Sequence, residues 1–380
     1  MNLRKIAYPL ALGTIAIQLS GCFLDSSSPT AATTPTDSSI ALGSSSSADL
    51  SSSASVVVPV ELGAAPTLAV LPWNGAKAAY SIIMDDYCSG TTESLRWADS
   101  VAFARQISVG FAIVAGSCQQ TDWDIAKAMI AHGSEPVNHS LTHSDPATWA
   151  AGTEEITAST QAILVNTGVL PTFMAYPFDK ATVTTQADLV AQGYLGARNY
   201  VTRTYGGKGF NSIASFNGIK AEYDARQPAA PDPNAVYQLY GMDAYADQAV
   251  TKGAWALRET HGVEDGSWGE WTKTEFIAHF DHLAMLQNQG DLWVAPPSKV
   301  IRYVNLAKQA TWNLVAAPDA YEVQWGTSAD TLARYGVPLR IQVSGTWKAF
   351  QGGVDLGATA NAAGTVISAN PALGTVRLVP

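Results

Sequence analysis

The sequence predicts an α/β protein built on a parallel sheet, with a small antiparallel β unit at its C-terminus. Three observations carry this. Between Ala79 and Val304, short apolar runs alternate with segments of helical periodicity, the rhythm of repeated strand–helix units. The polar residues with chemical potential stand at the ends of those runs, where α/β sheets bind their ligands. Beyond Lys308 the texture changes to short segments such as YEVQW, LRIQVS and GTVRLVP, separated by Gly, Asp, Asn and Pro.

The chain opens with a segment that belongs to targeting rather than to the fold. Arg4 and Lys5 precede an apolar stretch from Ile6 to Ile17, too short to span a bilayer as a stable helix. Leu19, Ser20, Gly21 and Cys22 then resemble the bacterial lipoprotein signal. The resemblance implies that residues 1–21 are removed and that Cys22 carries lipid. An exported protein, lipid-anchored to the cell envelope, is therefore expected, and Phe23 in place of an aspartate favours the outer membrane. Ordinary secretion with an incidental cysteine is the alternative. Residues 22–66 are dominated by Ser, Thr, Ala and Pro, a composition that buries too little surface to offset ordering entropy and reads as a flexible tether.

The body of the fold is expected over residues 67–307. Ala79 to Met84 (AYSIIM) reads as a buried strand that ends in Asp85 and Asp86. A helical pattern follows over Glu93 to Gln106, then a strand over Ser108 to Val114 and a helix over Asp122 to Ala131. Glu135 to Asn138 leads into His139, Ser140, Leu141, Thr142 and His143. Pro171 to Tyr176 ends in Pro177, Phe178 and Asp179, and Tyr194 to Arg198 forms the next strand. Thr272 as cap, Glu275 completing a capping box and Gly290 as terminator bound a helix that carries His279 and His282. Residues 308–380 complete the chain as a small β domain, either a packing appendage or a sugar-binding module.

Composition narrows the partners. A net charge of −10 argues against nucleic acid, whose binding depends on Lys and Arg neutralising phosphates. A neutral glycan suits the eleven Trp and fourteen Tyr, although aromatics serve more often in packing. No obligate protein partner is evident. With Cys22 assigned to lipid, Cys88 and Cys118 remain as a disulfide in an oxidising compartment or as two buried thiols.

Two histidines four apart place their imidazoles on one side of a helical turn, and Asp85 or Asp86 adds a carboxylate. Two His and one carboxylate leave coordination positions open, which marks a catalytic rather than a structural metal. Each element alone has a plainer explanation as a helix cap or surface group; their joint occurrence at strand ends is what points to a site.

These residues resemble the NodB-type polysaccharide deacetylases. MDDY at Met84 to Tyr87 matches that family's Asp-Asp motif, HSLTH at His139 to His143 its histidine motif, and AYPFD at Ala175 to Asp179 a degenerate third motif. The resemblance implies an irregular (β/α) barrel, with Asp85 as base, Asp86, His139 and His143 as metal ligands, and the Phe178 amide in the oxyanion hole. It implies a divalent metal, most often Zn2+, with Co2+, Ni2+ or Mn2+ as alternatives, and an acetylated polysaccharide as substrate. Its late general acid falls on His261 in ETHGVEDG rather than on His279 or His282, with Asp243 or Asp247 to orient it. Where many members carry an arginine paired with the base, this chain has Ala175, and Arg198 is the candidate to supply that charge. The alternative is a non-catalytic carbohydrate-binding lipoprotein on a worn deacetylase barrel, but five retained polar groups would cost it stability without function.

Overall fold

A computed structural model describes residues 62–199, the strand segments 210–211 and 223–224, and residues 239–380. The signal segment, Cys22 and nearly all of the Ser-rich stretch lie outside the described residues.

The elements run β1 (Leu68–Val70), β2 (Ala78–Tyr87), α1 (Thr92–Phe103), β3 (Gly110–Ile113), α2 (Gln120–Ala131), β4 (Glu135–Asn138) and α3 (Glu154–Thr167). They continue with β5 (Phe173–Ala175), α4 (Val183–Ala191), β6 (Gly196–Asn199), β7 (Phe210–Asn211), β8 (Tyr223–Asp224), α5 (Leu239–Lys252) and β9 (Trp255–Thr260). Next come α6 (Lys273–Asn288), β10 (Leu292–Val294) and α7 (Pro297–Gln309). The C-terminal part holds β11 (Trp312–Ala317), β12 (Ala320–Trp325), α8 (Ala329–Tyr335), β13 (Leu339–Val343) and β14 (Lys348–Gln351). It ends with β15 (Val354–Asp355), β16 (Thr359–Asn361), β17 (Gly364–Ala369) and β18 (Val376–Val379).

Nine strands make the main sheet, in the order β7-β9-β2-β3-β4-β5-β6-β8 with β10 also paired to β2. All pairs are parallel except β7 with β9. This is the irregular (β/α) barrel expected, with antiparallel sheets beside it. β2 shows why its sequence reads as an unbroken apolar run: both faces are covered. Ala79 and Ile83 point into one core with Trp73, Trp255 and Trp293, whereas Tyr80, Ile82 and Met84 point into another beneath α1, α2, α5 and α6. Each fully buried Ile or Met contributes ~1.5–3 kcal/mol, which offsets the cost of carrying a buried carboxylate at the strand's end.

The C-terminal residues form two antiparallel sheets, β1-β13-β17-β16 and β11-β12-β18-β14-β15. Two features differ from the reading of the sequence. β1 leaves the barrel and pairs with β13, Leu68 opposite Val343. The segment read as strands only also contains α8, capped by Ser328, whose side chain accepts from the Thr331 amide. That cap is a local signal too short to set a period over seven residues. The first of the two cores continues without a break from Trp255 and Trp293 to Val323, Leu339 and Leu378.

α6 is bounded as its sequence predicts. Thr272 accepts from the Glu275 amide at 3.2 Å while Glu275 accepts from the Thr272 amide at 3.2 Å, a complete capping box.

Candidate metal centre

Consecutive side chains of a regular strand point to opposite faces, so Asp85 and Asp86 should not share a site. They do because β2 is irregular there. Asp86 is left-handed at φ 66°, and the register with β3 shifts between Met84 and Tyr87. A bulge of this kind re-aims one side chain, and Asp is among the few residues that tolerate the conformation. Asp86 Oδ1 then lies 3.4 Å from His139 Nε2, and Asp85 Oδ2 lies 4.0 Å from the same nitrogen.

The histidines converge differently from the expected helical turn. Residues 139–145 form no helix; the chain leaves β4 as a loop in which Ser140 (φ 72°) and His143 (φ 59°) are left-handed. Its amides are held by two side chains: Asn138 accepts from Ser140 N at 2.8 Å, and Glu155 accepts from Leu141 N and Thr142 N at 3.0 and 2.9 Å. Asn138 and Glu155 were not singled out in the sequence, since no motif connects Glu155 on α3 to this loop. The loop places His143 Nε2 3.3 Å from Asp86 Oδ1, so both imidazoles approach one carboxylate oxygen. Donor atoms of Asp86, His139 and His143 all lie within 4.8 Å of one another. His139 Nδ1 donates to the Ala175 carbonyl at 2.7 Å, which leaves Nε2 of the neutral ring as a free ligand atom. Burial lowers the His143 pKa, which favours the neutral form a metal needs. The donor set, one carboxylate and two imidazoles, fits a catalytic divalent metal.

Asp85 is 3% exposed and belongs to a second group. Both its oxygens accept from Arg198, Oδ1 from Nη1 at 2.8 Å and Oδ2 from Nη2. Burial pushes the Asp85 pKa up, but Arg198 and His139 outweigh it and hold it at about 2. Arg198 is the register partner of Ala175 across β5 and β6, so the guanidinium comes from the strand next to the one on which the family arginine stands. Its Nε faces Asp179 Oδ1 at 3.1 Å and Glu259 Oε2 at 3.3 Å. Burial and Glu259 push Asp179 well above the usual carboxylate range, so the buried guanidinium is not overwhelmed by negative charge. Glu259 was not singled out in the sequence, since no motif connects this residue of β9 (WALRET) to Arg198 on β6.

Phe178 follows β5 in a left-handed conformation (φ 54°), and its 56% exposed ring lies 4.8 Å from the His143 ring. His261 follows β9, the parallel neighbour of β2, with Nε2 3.9 Å from Asp86 Oδ2. Its Nδ1 is buried without a hydrogen bond among the described residues. Asp243 and Asp247 do not orient it, contrary to the sequence reading. Asp243 binds His279 Nδ1 at 2.6 Å and Asp247 binds His282 Nε2 at 2.9 Å, because α5 packs its carboxylates against α6 rather than toward the strand ends. Cys88, two residues past Asp86, is disulfide-bonded to Cys118. The bond ties the end of β2 to the loop after β3.

Residues 92–197 match the family model described as Polysaccharide deacetylase. Over this stretch the chain is similar to polysaccharide deacetylases. The matched stretch contains His139, His143 and Phe178, while Asp85, Asp86 and His261 lie outside it and join it only in three dimensions. Among solved structures, a polysaccharide-deacetylase-type protein of Mycobacterium smegmatis is 15% identical, with a TM-score of 0.46 over 66% of this chain and 98% of its own. The family 4 carbohydrate esterase of Streptomyces lividans is 18% identical, with a TM-score of 0.38 over 57% and 92%. Peptidoglycan deacetylase PdaC of Bacillus subtilis is 13% identical, with a TM-score of 0.40 over 61% and 94%. Likeness at this level says nothing of the substrate of the domain. No curated protein matches the chain.

Proposed function

We propose that the chain hydrolyses acetyl groups from an acetylated polysaccharide, with a divalent metal held by Asp86, His139 and His143. The observation that carries the reading is the convergence of those three side chains from β2 and the loop after β4. Two nitrogens and one oxygen suit zinc first, then cobalt, nickel or manganese. When bound, the metal supplies Lewis acidity toward the acyl oxygen and acidifies water. Asp85, ionised at all working pH, takes the proton released as water adds to the acetyl carbon. His261 gives a proton to the departing sugar oxygen or nitrogen, the bond from that atom to the acetyl carbon breaks, and acetate leaves. The Phe178 amide donates to the charge that develops on the acyl oxygen. Arg198 keeps Asp85 aimed and charged in place of an arginine at position 175.

The substrate class is an O-acetylated glycan of the xylan type or an N-acetylated glycan of the chitin or peptidoglycan type. The protein works outside the cytoplasm, anchored by lipid on Cys22 to the cell envelope and by this reading to the outer membrane. The Cys88–Cys118 disulfide supports an oxidising compartment. The test is acetate release across O- and N-acetylated glycans, with metal and with chelator. Release only with metal is expected, and release that persists in Asp86→Ala at full metal content would overturn the ligand assignment. For the anchor, Cys22→Ser should shift the protein from the membrane fraction to the soluble one.

A further inference from the structure

Trp268 is 64% exposed, yet the loop that carries it is pinned from several sides. Glu270 accepts from the amides of Asp265 and Gly266, each at 2.6 Å, and Asp265 accepts from the Ser267 amide at 3.0 Å. Ser267 accepts from the Gly262 amide at 3.0 Å, and Ser94 on α1 donates to the Asp265 carboxylate. Gly262 is required by this arrangement, since a Cβ there would lie 1.8 Å from Asp265 Oδ2. The loop therefore holds an exposed indole in one place.

The indole stands against the site. Its ring centroid is 4.9 Å from that of His261, at an interplanar angle of 84°. The exposed Phe178 ring lies 4.8 Å from that of His143. The hydrolytic step needs the His261 imidazole but no exposed indole beside it. A pyranose ring presents an apolar C–H face, which an exposed aromatic covers well, and a neutral sugar meets no penalty from a chain of net charge −10.

We infer that Trp268 is a specificity-determining platform that packs on a pyranose ring beside the acetylated one, so that polymeric substrates are preferred over small acetyl esters. This rests on the deacetylase reading above.

The experiment compares metal-loaded wild type, Trp268→Ala and Trp268→Phe on the acetylated oligosaccharide that the wild type deacetylates best and on 4-methylumbelliferyl acetate, which has no sugar. The oligosaccharide-to-ester ratio of kcat/KM should fall about tenfold in Trp268→Ala, mostly through KM, the factor that ~1.4 kcal/mol of ring stacking gives. Trp268→Phe should recover most of it. An unchanged ratio overturns the platform, whether activity on both substrates falls together, as it would if Trp268 acted through His261, or neither changes. A changed mass in solution with an unchanged ratio would assign the indole to self-association instead. If the wild type releases no acetate from any glycan, the deacetylase reading fails. Calorimetric binding of unacetylated oligosaccharide, lost in Trp268→Ala, would still uphold the platform, and retained binding would remove it.

Discussion

At the strand ends, His139 and His143 direct their Nε2 atoms to one oxygen of Asp86, at 3.4 and 3.3 Å. Between α5 and α6, His279 and His282 each bind an aspartate of their own, Asp243 at 2.6 Å and Asp247 at 2.9 Å. The residue types are the same and the chemistry is opposite. Where each imidazole has a private carboxylate, hydrogen bonding is complete and the pair serves to pin two helices. Where two imidazoles crowd one carboxylate, three donor atoms face a common point, the arrangement that suits a cation. Strand ends create the second situation because side chains from neighbouring strands point at a common space, whereas helix faces pair one to one.

The widest separation between the two groups should come from a matched pair of variants. His143→Ala is expected to lose metal, read by elemental analysis, and on the order of a thousandfold in kcat/KM. His279→Ala should keep its metal and most of its activity while losing about 1–3 kcal/mol of stability from the buried hydrogen bond, read by denaturant melts. Equal metal loss in both would end the distinction drawn here.

Arg198→Met sharpens the comparison at the neighbouring acid. Without the guanidinium, burial is opposed only by His139 and His261, and the Asp85 pKa rises. Activity requires the ionised form, so the acid limb of the pH–rate profile should move to higher pH, with the largest loss below neutrality. Stability should also fall by about 3–5 kcal/mol, because Asp85 and Glu259 stay buried without their cation. An unmoved acid limb would remove Arg198 from the role given to it.

The disulfide holds the end of β2 near the metal ligands, and nothing comparable ties α5 to α6 among the described residues. Its half-cystines are 30 residues apart, for which the chain-entropy model gives about 3–4 kcal/mol. Cys118→Ser should therefore melt well below wild type and should also bind metal more weakly. Weaker metal binding is the discriminating result, since the helix-borne pairs would not feel the change.

The smallest effect lies at the opposite end of the barrel, where Glu135 at the start of β4 accepts from the Ser298 amide at 3.0 Å. Burial raises its pKa to about 7 despite that bond and the nearby Arg302. A carboxyl with its folded pKa above its unfolded one adds stability below the unfolded value, and that stability is lost as pH rises through about 7. Glu135→Gln should remove this loss, so the variant gains on wild type by about 2 kcal/mol between pH 5 and pH 8. Melting curves at the two values decide it, and a constant difference would refute the assignment.

The resemblance carried in MDDY and HSLTH reached further than periodicity did. Periodicity located the strands and helices of the barrel, and the capping box at Thr272 set the start of α6 to the residue. It missed α8, whose seven residues are too few to show a period, and it did not mark β1, which pairs with β13. It also drew the histidine motif as a turn of helix, because a spacing of four is shared by helices and by loops with two left-handed residues. Glu155 and Glu259 could not have been found at all, since each acts on residues more than ten positions away in sequence.

By itself, then, the sequence determined which strands are buried on both faces, where the aspartates and histidines fall relative to strand ends, and the net negative charge of the chain. These are local properties, written in composition and period. Only the tertiary structure decided that a bulge turns Asp85 and Asp86 to the same side, that Arg198 stands opposite Ala175, and that Asp243 and Asp247 serve His279 and His282 instead of His261. Those facts depend on register between strands and on how helices dock, and register is fixed by the packing of whole faces rather than by any single residue.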